Sequence, residues 1–443
     1  MSFPKYPEYK ESGIDWAGTI PEHWHAAKLR WLAKLNSGNG ITSSDIEEGG
    51  TYPVYGGNGI RGYTEDYTHQ GLHVLIGRQG ALCGNINYGD GRFWASEHAV
   101  VVEPTRDLDA VWLGELLRSM NLNQYSVAAA QPGLAVDRVS ALAIPVPPKA
   151  EQTKIANFLQ HETAKIDALI HEQERLIELL QEKRQAVISH VVTKGLDPDV
   201  PMKDSRVEWL GEVPSHWRVG KLRWYATIQG GLAKGKDYDG KSTVTLPYLR
   251  VANVQEGYVD LSEVKEIAVL QSEVDRYSLK KGDVLMNEGG DNDKLGRGTV
   301  WNAALDPCLH QNHVFAIRPN GYVRPEWLAM FTQSNRARYY FYLNSKQSTN
   351  LASISSSNVM NLDLPMPTVQ EQQSILQALG TQLTQFAELQ RHANVAINLL
   401  AERRSALISA AVTGKIDVRN WQPPADEGAY DDRVREAGLE ATA

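Results

Sequence analysis

The residues best suited to catalysis or metal binding do not form a recognisable constellation. His98 and His313 precede equivalent strand-like segments, but no second ligand or nucleophile stands at a suitable spacing from either, so we interpret both as structural histidines. Asp199, followed at a distance by Glu263 and Lys265, superficially matches the acidic residues and lysine of a metal-dependent nuclease. Because the separation is long and Asp199 lies in a linker, we expect no hydrolytic site there.

Motifs of nucleotide-dependent enzymes are not recognised either. We identify no N-P-P-Y or D-P-P-Y tetrapeptide for adenine methylation, no glycine-rich S-adenosylmethionine loop after a strand, and no P-loop for a motor. The two cysteines, Cys83 and Cys308, lack metal-ligand spacing and fit buried or free thiols in a reducing compartment. We therefore expect a non-catalytic chain without a metal or cofactor of its own.

Length and charge narrow the class of protein further. A chain of 443 residues predicts about three domains at the usual size of about 150 residues each. The net charge of -8 is unusual for a nucleic-acid binder, since phosphate neutralisation normally requires an excess of lysine and arginine. No apolar segment has signal-peptide form or the length of a membrane span, so we expect a soluble, cytoplasmic protein.

Two segments recur in the two halves of the chain. Residues 11–31, ESGIDWAGTIPEHWHAAKLRW, match residues 204–224, DSRVEWLGEVPSHWRVGKLRW, and we call both the tryptophan motif. Further along, IPVPPKAEQTKIANFL at 144–159 matches LPMPTVQEQQSILQAL at 364–379. Copies of about 200 residues are each large enough to bury a core, so the repeats indicate two duplicated domains rather than a solenoid.

Each half is predicted to be a strand-rich body followed by a long helix. Short apolar runs bounded by glycine-rich turns predict strands at 52–55, 74–76, 99–102, 248–251, 284–286 and 314–317. The fold class that follows is α+β, with two strand-rich domains and two long helices.

Apolar residues recur in alternating steps of four and three along both predicted helices, which is the pattern of a coiled-coil seam. The seam residues are Ile155, Leu159, Ile166, Leu169, Leu176, Leu180, Val187, Ile375, Leu379, Phe386, Leu389, Leu400 and Leu407.

Helix boundaries are marked by local signals. The prolines at 147–148 precede the first helix, and Thr368 with Glu371 forms a T-x-x-E capping box at the second. Gly195 and Gly414 follow the last periodic residues, as C-cap glycines do. Each helix is then about 40 residues and about 60 Å long.

The linker predicts the direction in which the helices pair. About ten residues connect the first helix to the second tryptophan motif and reach at most about 35 Å. A parallel pair would require the chain to travel back about 60 Å. We therefore predict an antiparallel pair, with the two halves related by a pseudo-two-fold axis.

In this order and in duplicate, the motifs resemble those of the specificity subunit of a type I DNA restriction-modification system, up to about residue 418. The motifs that carry the resemblance are W-x-G-x-x-P-x-x-W at 16–24 and 209–217, P-x-P-x-x-x-E-Q-x-x-I at 145–155 and 365–375, the VLIGRQG and VLMNEGGDNDKLGRG loops, and V-T-G-K-like helix ends.

The resemblance implies two target recognition domains that each read one half of a split double-stranded DNA sequence. It also implies two docked modification subunits, which are S-adenosylmethionine-dependent adenine methyltransferases, and through them restriction subunits that use ATP and Mg. The implied segments are target recognition domain 1 at 1–148, spacer helix 1 at 149–195, target recognition domain 2 at 196–367, spacer helix 2 at 368–416, and a flexible acidic tail at 417–443.

In such a protein, base contacts must come from loop side chains that present paired donors or acceptors. The candidates in the first domain are Ser43, Ser44, Asn58, Arg61, Arg78, Gln79 and Gln131. The candidates in the second are Lys234, Lys236, Arg250, Asn253, Asn287, Lys294, Arg297, Ser348, Thr349 and Asn350. The alternative is that many of them satisfy turn backbones. The tryptophans of the motif recur in both halves while specificity should differ, so we interpret them as core anchors.

The resemblance also makes Arg184 and Arg404, on outward helix faces, candidates for the partner interface, where a solvated surface is the alternative. Helices of this length would space the two domains for half-sites about one or two DNA turns apart. Two other classes stay open from the residues alone. One is a self-contained restriction or modification enzyme, and the other is a coiled-coil adaptor with two protein-binding domains.

Overall fold

The computed structural model describes residues 3–80, 82–126, 133–235, 238–290, 295–296, 298–348 and 351–423. The chain forms two units. Unit 1 comprises Met1–Glu174 and Asn394–Ala443, and unit 2 comprises Arg175–Ala393.

The first half of the chain contains strands β1 Tyr9–Glu11, β2 Thr19–Pro21, β3 His25–Lys28, β4 Ala33–Ser37, β5 Tyr52–Gly56, β6 Gly59–Thr64, β7 His69–Gln70, β8 His73–Gly77, β9 Ile86–Gly89, β10 Arg92–Ala95, β11 Ala99–Pro104 and β12 Ala143–Val146. Its helices are α1 Ala110–Ser119, α2 Val136–Ser140 and α3 Lys149–Lys194.

The second half contains strands β13 Met202–Asp204, β14 Glu212–Pro214, β15 Arg218–Lys221, β16 Ala226–Gly230, β17 Thr243–Leu249, β18 Lys265–Leu270, β19 Val284–Asn287, β20 Gly289–Gly290, β21 Gly298–Val300, β22 Leu309–His310, β23 Val314–Pro319, β24 Lys346–Gln347, β25 Ala352–Ser353 and β26 Asp363–Met366. Its helices are α4 Gln271–Tyr277, α5 Pro325–Gln333, α6 Asn335–Leu343, α7 Ser356–Met360 and α8 Val369–Val412.

Both units build the same central antiparallel sheet. Its strand order is β4-β11-β8-β9 in unit 1 and β16-β23-β19-β21 in unit 2. In each unit the last strand within the tryptophan motif also pairs with the strand before the long helix, β3 with β12 and β15 with β26. The α+β duplication is therefore confirmed. The predicted strands lie in β5, β8, β11, β17, β19 and β23, although β17 ends at Leu249 and a 3-10 turn follows at Val251–Asn253.

The two repeated motifs meet at the start of each long helix. In unit 1, Glu151 accepts a hydrogen bond from Trp24 Nε1 at 3.1 Å and lies 2.8 Å from His23 Nε2. In unit 2, Glu371 accepts from Trp217 Nε1 at 2.9 Å. Both tryptophans are fully buried, so each indole N–H requires an acceptor inside the protein. A carboxylate in the first turn also suits the positive end of the helix dipole.

The glutamine after each glutamate anchors a second helix. Gln152 accepts from the backbone N–H of Asp109 at 3.0 Å, and Asp109 caps α1. Gln372 accepts from the backbone N–H of Arg324 at 2.9 Å, at the N-cap of α5. The E-Q pair of the repeated motif therefore joins each strand-rich body to its long helix.

The long helices contribute to the core of each unit in opposite directions. In unit 1, Ile155 and Leu159 near the start of α3 share a core with Leu407 and Val412 near the end of α8. In unit 2, the end of α3 shares a core with the start of α8, through residues such as Val191 and Ile375. The antiparallel prediction is therefore confirmed.

The predicted seam departs from a strict heptad repeat. Ile155, Leu159, Ile166, Leu180, Ile375, Leu379 and Leu407 are buried, and Val187, Phe386 and Leu400 are half-buried. Leu169, Leu176 and Leu389 are 46%, 41% and 48% exposed, so they lie outside a buried seam. In unit 1, Ile170 packs against the core, whereas the heptad pattern predicted this contact for Leu169. A straight helix repeats every 3.6 residues, and a count at 3.5 drifts about 20° per heptad around it.

The helix boundaries follow the local signals with one change. α3 begins directly after the prolines at 147–148, and Gly195 and Gly414 have φ of 78° and 73° just past the helix ends. Thr368 Oγ1 accepts from the N–H of Glu371 at 3.2 Å, which is half of the predicted capping box. The carboxylate of Glu371 is engaged by the tryptophan motif.

Two motif tryptophans are not core anchors. Trp31 and Trp224, at the last position of each motif, are 56% and 63% exposed. Each closes a 3-10 turn whose preceding leucine is buried. The recurrence of a residue in both halves therefore did not distinguish a buried tryptophan from an exposed one. Among the described residues, no helix combines the length and apolar character of a membrane span.

Candidate nucleic-acid interface

One position in each unit is held by the same backbone hydrogen bond. In unit 1, the N–H of Arg78, directly after β8, donates to the carbonyl of His98 at 2.9 Å. In unit 2, the N–H of Glu288, directly after β19, donates to the carbonyl of His313, also at 2.9 Å. Arg78 and Glu288 therefore follow equivalent strands and face equivalent histidines.

A second bond extends the correspondence to a distant segment. The carbonyl of Arg78 accepts from the N–H of Leu134 at 2.9 Å, and the carbonyl of Glu288 accepts from the N–H of Ile354 at 2.8 Å. The backbone therefore fixes one structural position twice, with a guanidinium side chain in unit 1 and a carboxylate side chain in unit 2.

A cleft of about 640 Å³ opens beside this position in unit 1, and we call it cleft 1. It brings together three of the predicted residues, Asn58 and Arg61 from the β5–β6 hairpin and Gln79 from the loop after β8. Asn58 Oδ1 accepts from Asn85 Nδ2 at 2.8 Å, which holds the tip of the loop. The loops approach closely, since a Cβ on Gly77 would overlap a backbone carbonyl. Cleft 1 is lined by Gly56, Gly57, Asn58, Gly59, Ile60, Arg61, Gln79, Gly80, Leu82 and His98.

Unit 2 has a cleft of about 480 Å³ at the equivalent place, which we call cleft 2. It contains Ser348 of the predicted set, together with Glu288 and His313, which were not predicted to read bases. Glu288 Oε2 lies 2.6 Å from His313 Nδ1. Cleft 2 is lined by Val251, Glu288, Gly289, Gly290, His313, Lys346, Gln347, Ser348, Leu351, Ala352 and Ser353.

The two histidines interpreted as structural lie at the clefts. The side chains of His98 and His313 are 42% and 55% exposed, and each pairs with a glutamate, Glu97 and Glu288. Their equivalent places directly before β11 and β23 were visible in the sequence and could have indicated a shared position at the two clefts. What the sequence did not reveal was that both point to solvent.

Other predicted residues of unit 1 lie in exposed turns. Ser43 and Ser44 form a 3-10 turn, in which Ser44 Oγ lies 2.7 Å from Thr42 Oγ1. Arg78 Nη1 donates to Ser37 Oγ at 3.1 Å, at the end of β4. The remaining N–H groups of a guanidinium fork can serve a ligand.

In unit 2, Lys234 is exposed, with its Nζ 5.8 Å from the ring centroid of Tyr248. Arg250 Nη2 donates to the carbonyl of Glu263 at 3.3 Å. Both side chains keep donors at the surface but lie outside the residues that line cleft 2.

Asn253 and Asn287 serve the backbone instead of facing solvent. Asn253 is 3% exposed and its Nδ2 donates to the carbonyls of Asp260 and Glu263 at 2.8 and 3.0 Å. Asn287 is 5% exposed and its Nδ2 donates to the carbonyl of Val254 at 3.0 Å. Both amides hydrogen-bond to backbone carbonyls of the loop after β17. This is the alternative interpretation, in which such side chains satisfy turn backbones.

Six predicted residues lie outside the described ranges, namely Gln131, Lys236, Lys294, Arg297, Thr349 and Asn350. Most of the acidic tail, from residue 424 onward, also lies outside them.

The prediction that the chain has no P-loop string is wrong. Gly235 to Ser242, GKDYDGKS, matches G-x-x-x-x-G-K-S literally. A P-loop leads from a strand into a helix, whose N-terminus binds the phosphates. Here the string is followed directly by strand β17, after β16. The string therefore lacks the strand-to-helix context of a P-loop.

The superficial nuclease pattern gains no support from the fold. Glu263 lies 2.7 Å from Lys265 Nζ, and this hydrogen bond and the positive charge of the lysine lower the pKa of the carboxyl. Within the described ranges, no group of three or more histidine, cysteine, aspartate or glutamate residues could hold a metal ion.

The two predicted interface arginines form ion pairs within their own units. In unit 2, Arg184 lies 3.6 Å from Glu256, which also pairs with Arg338 at 2.7 Å. In unit 1, Arg404 lies 2.8 Å from Asp167 across the helix pair. Each pair is partly exposed, so a docking role stays a prediction beside this intramolecular one.

The two units share one backbone frame, and their clefts are lined by different side chains. This arrangement is that of a two-domain recognition protein. The comparisons with known proteins agree. Residues 21–179 and 214–399 match the type I restriction modification DNA specificity domain. The chain belongs to the family of type I restriction-modification DNA specificity subunits, which are the recognition components of these systems and not their catalysts.

Relatives and solved structures resemble the chain to different extents. The EcoprrI specificity subunit of Escherichia coli is 46% identical over 132 residues, which cover 29% of this chain and 33% of that protein. The MjaVIII specificity subunit of Methanocaldococcus jannaschii is 23% identical over 95% of this chain and 98% of its own length. A structure from work on complex assembly and conformational transition of the type I R-M system aligns with a TM-score of 0.63 at 17% identity, over 89% of this chain and 98% of that one, which shows the fold alone.

Proposed function

We propose that this chain reads a bipartite, asymmetric double-stranded DNA target, with unit 1 reading one half and unit 2 the other. The observation that carries the proposal is the pair of clefts at one place in the duplicated frame, furnished with different polar side chains. Identical frames give both halves the same way of meeting a duplex, while different side chains give each half its own base preference.

We propose further that the chain docks two modification subunits, and through them restriction subunits. Adenine methylation then belongs to the modification subunit with its S-adenosylmethionine, and ATP and Mg belong to the restriction subunit. The net charge of -8 supports this division, because a chain with that balance needs partners to supply the positive charge that surrounds the phosphates.

The length of the helices suggests what sets the spacing of the half-sites. α3 has 46 residues and α8 has 44, which gives about 66 to 69 Å at 1.5 Å per residue. Two turns of B-DNA extend about 70 Å. We propose that the rise of these helices sets the number of unread bases between the half-sites.

Single-molecule sequencing tests the reader directly. DNA is sequenced from cells that carry this chain with its neighbouring methyltransferase, and from cells that lack only this chain. The expected result is a gapped methyladenine motif that disappears on deletion. Methylation that is unchanged by the deletion would contradict the proposal and favour the adaptor class.

Partner docking is tested by co-purification. Arg184→Glu and Arg404→Glu are expected to weaken retention of the methyltransferase. Asp167→Ala is the matched control, because it removes the same intramolecular ion pair and leaves Arg404 in place. Retention that survives both arginine substitutions, or is lost equally in the control, shows that these arginines are not the interface.

A further inference from the structure

The position shared by Arg78 and Glu288 carries opposite charges on an unchanged backbone. The hydrogen bonds that hold it use only N–H and carbonyl groups, to His98 and Leu134 in unit 1 and to the equivalent residues in unit 2. The side chain at this position is therefore not needed to form the frame. A side chain free of that duty is available for recognition. Glu288 lines cleft 2, and Arg78 directly precedes Gln79, which lines cleft 1.

A carboxylate at this place narrows what cleft 2 can bind. The phosphates of DNA repel Glu288, so it cannot contribute to sequence-independent affinity. In the major groove, only the amino groups of cytosine and adenine offer it a hydrogen-bond donor, because guanine and thymine present acceptors there. A glutamate in the cleft is therefore suited to selecting an amino base, and cytosine N4 is its usual partner.

Glu288 is also held ready for such a contact. Its side chain is 30% exposed, and His313 Nδ1 engages Oε2 at 2.6 Å. A carboxylate has a second oxygen with further acceptor capacity. His313 acts as a positioning residue, because it fixes one oxygen and so limits where the other can lie.

Arg78 offers the complementary chemistry in unit 1. Ser37 Oγ accepts from its Nη1 at 3.1 Å, which anchors one side of the guanidinium. The remaining donors of the fork match the O6 and N7 acceptors of guanine.

We propose that this shared position determines one base in each half-site, with Arg78 selecting guanine in the half read by unit 1 and Glu288 selecting cytosine in the half read by unit 2. The inference rests on the proposed function and names residues that carry its specificity.

The experiment is sequencing of methylated motifs in cells with the neighbouring methyltransferase and one of four variants. Arg78→Gln and Glu288→Gln replace each charge by an amide, which suits adenine. Arg106→Gln and Glu266→Gln are the matched controls, since both residues are exposed and neither occupies the position shared by Arg78 and Glu288. We expect Glu288→Gln to lower the preference for cytosine by about 5- to 150-fold at one position of one half-site. Arg78→Gln should do the same for guanine in the other half-site, and the controls should leave the motif unchanged.

The outcomes separate this inference from the function beneath it. Methylation that does not depend on the chain overturns the proposed function. A chain-dependent motif that is the same in the wild type and both cleft variants overturns only the inference. If a cleft variant methylates nothing in cells, its purified complex with the methyltransferase is offered duplexes randomised at each motif position. Recovery on duplexes altered in the expected half supports the inference, and no recovery by a chain with wild-type circular dichroism overturns it.

Discussion

The glutamine of each E-Q pair is expected to contribute a measurable amount to the stability of the helix that it anchors. Gln372 is fully buried and forms three hydrogen bonds. It accepts from the N–H of Arg324 at 2.9 Å, and its Nε2 donates to the carbonyls of Pro367 and Tyr322 at 3.0 and 3.1 Å. In Gln372→Ala these three backbone groups lose their partner, and the first is at the N-cap of α5.

The cost follows from those bonds. Each backbone group left unsatisfied in the interior costs about 1–3 kcal/mol. Tyr322 is 70% exposed, so water can reach part of the site and the sum is reduced. We expect a loss of about 2–4 kcal/mol in the free energy of opening α5 from α8. Gln152 bonds to Asp109 and Pro147, so Gln152→Ala should destabilise α1 by about 1–3 kcal/mol.

Hydrogen exchange by mass spectrometry measures both losses locally. Peptides that cover α5 should exchange about 30- to 1000-fold faster in Gln372→Ala, at about 1.4 kcal/mol per factor of ten, while peptides of α1 should change little. Gln373→Ala is the control, because that neighbouring side chain is exposed. Such a surface change is worth less than about 0.5 kcal/mol. If α5 exchanges no faster in Gln372→Ala than in Gln373→Ala, the bonds of Gln372 do not hold α5 in place.

Three further predictions concern spacing, pH and a buried charge. Seven residues inserted into each long helix should lengthen the unread gap of the methylated motif by about three base pairs, from about 10.5 Å of rise over about 3.4 Å per pair; an unchanged gap contradicts the spacing role. Burial lowers the pKa of His310, so on acidification the unfolded chain binds a proton at this residue at a higher pH than the folded chain does. The stability that the neutral histidine allows is therefore present above about pH 6.5, the ordinary pKa of histidine, and should be lost as the pH falls below it. His310→Asn should flatten this dependence in urea titrations between pH 7.5 and 5.5, and an equally steep dependence in the variant would show that His310 is not its source. Asp283, buried and bonded to both Arg318 Nε and Nη2 at 2.7 Å, should cost about 2–3 kcal/mol when replaced by alanine, less than the 3–5 kcal/mol of a fully buried pair because Arg318 keeps contact with water. A shift in urea midpoint worth less than about 1 kcal/mol would show that the pair contributes little.

The sequence alone determined the features that depend on near neighbours. The limits of α3 and α8 follow from the prolines at 147–148, the hydroxyl cap at Thr368 and the glycines at 195 and 414, because a helix end is satisfied by residues within a few positions of it. The duplication was visible in the sequence because both copies retain the tryptophan motif and the E-Q pair at the start of the long helix. The linker length was sufficient to predict antiparallel pairing, since a chain cannot span more than its extended length.

Only the tertiary structure decided which of the polar residues are available for recognition. Asn253 and Asn58 have the same chemistry and both lie beside strands, yet one is buried under its own loop and the other lies at a cleft. Glu288 was not among the predicted residues, although it occupies the position of Arg78, because their equivalence is defined by backbone bonds to segments far away in the chain. Likewise, Glu151 and Trp24 are 127 residues apart in sequence. Contacts of this kind depend on how strands pair and helices dock, and no local pattern of residues encodes them.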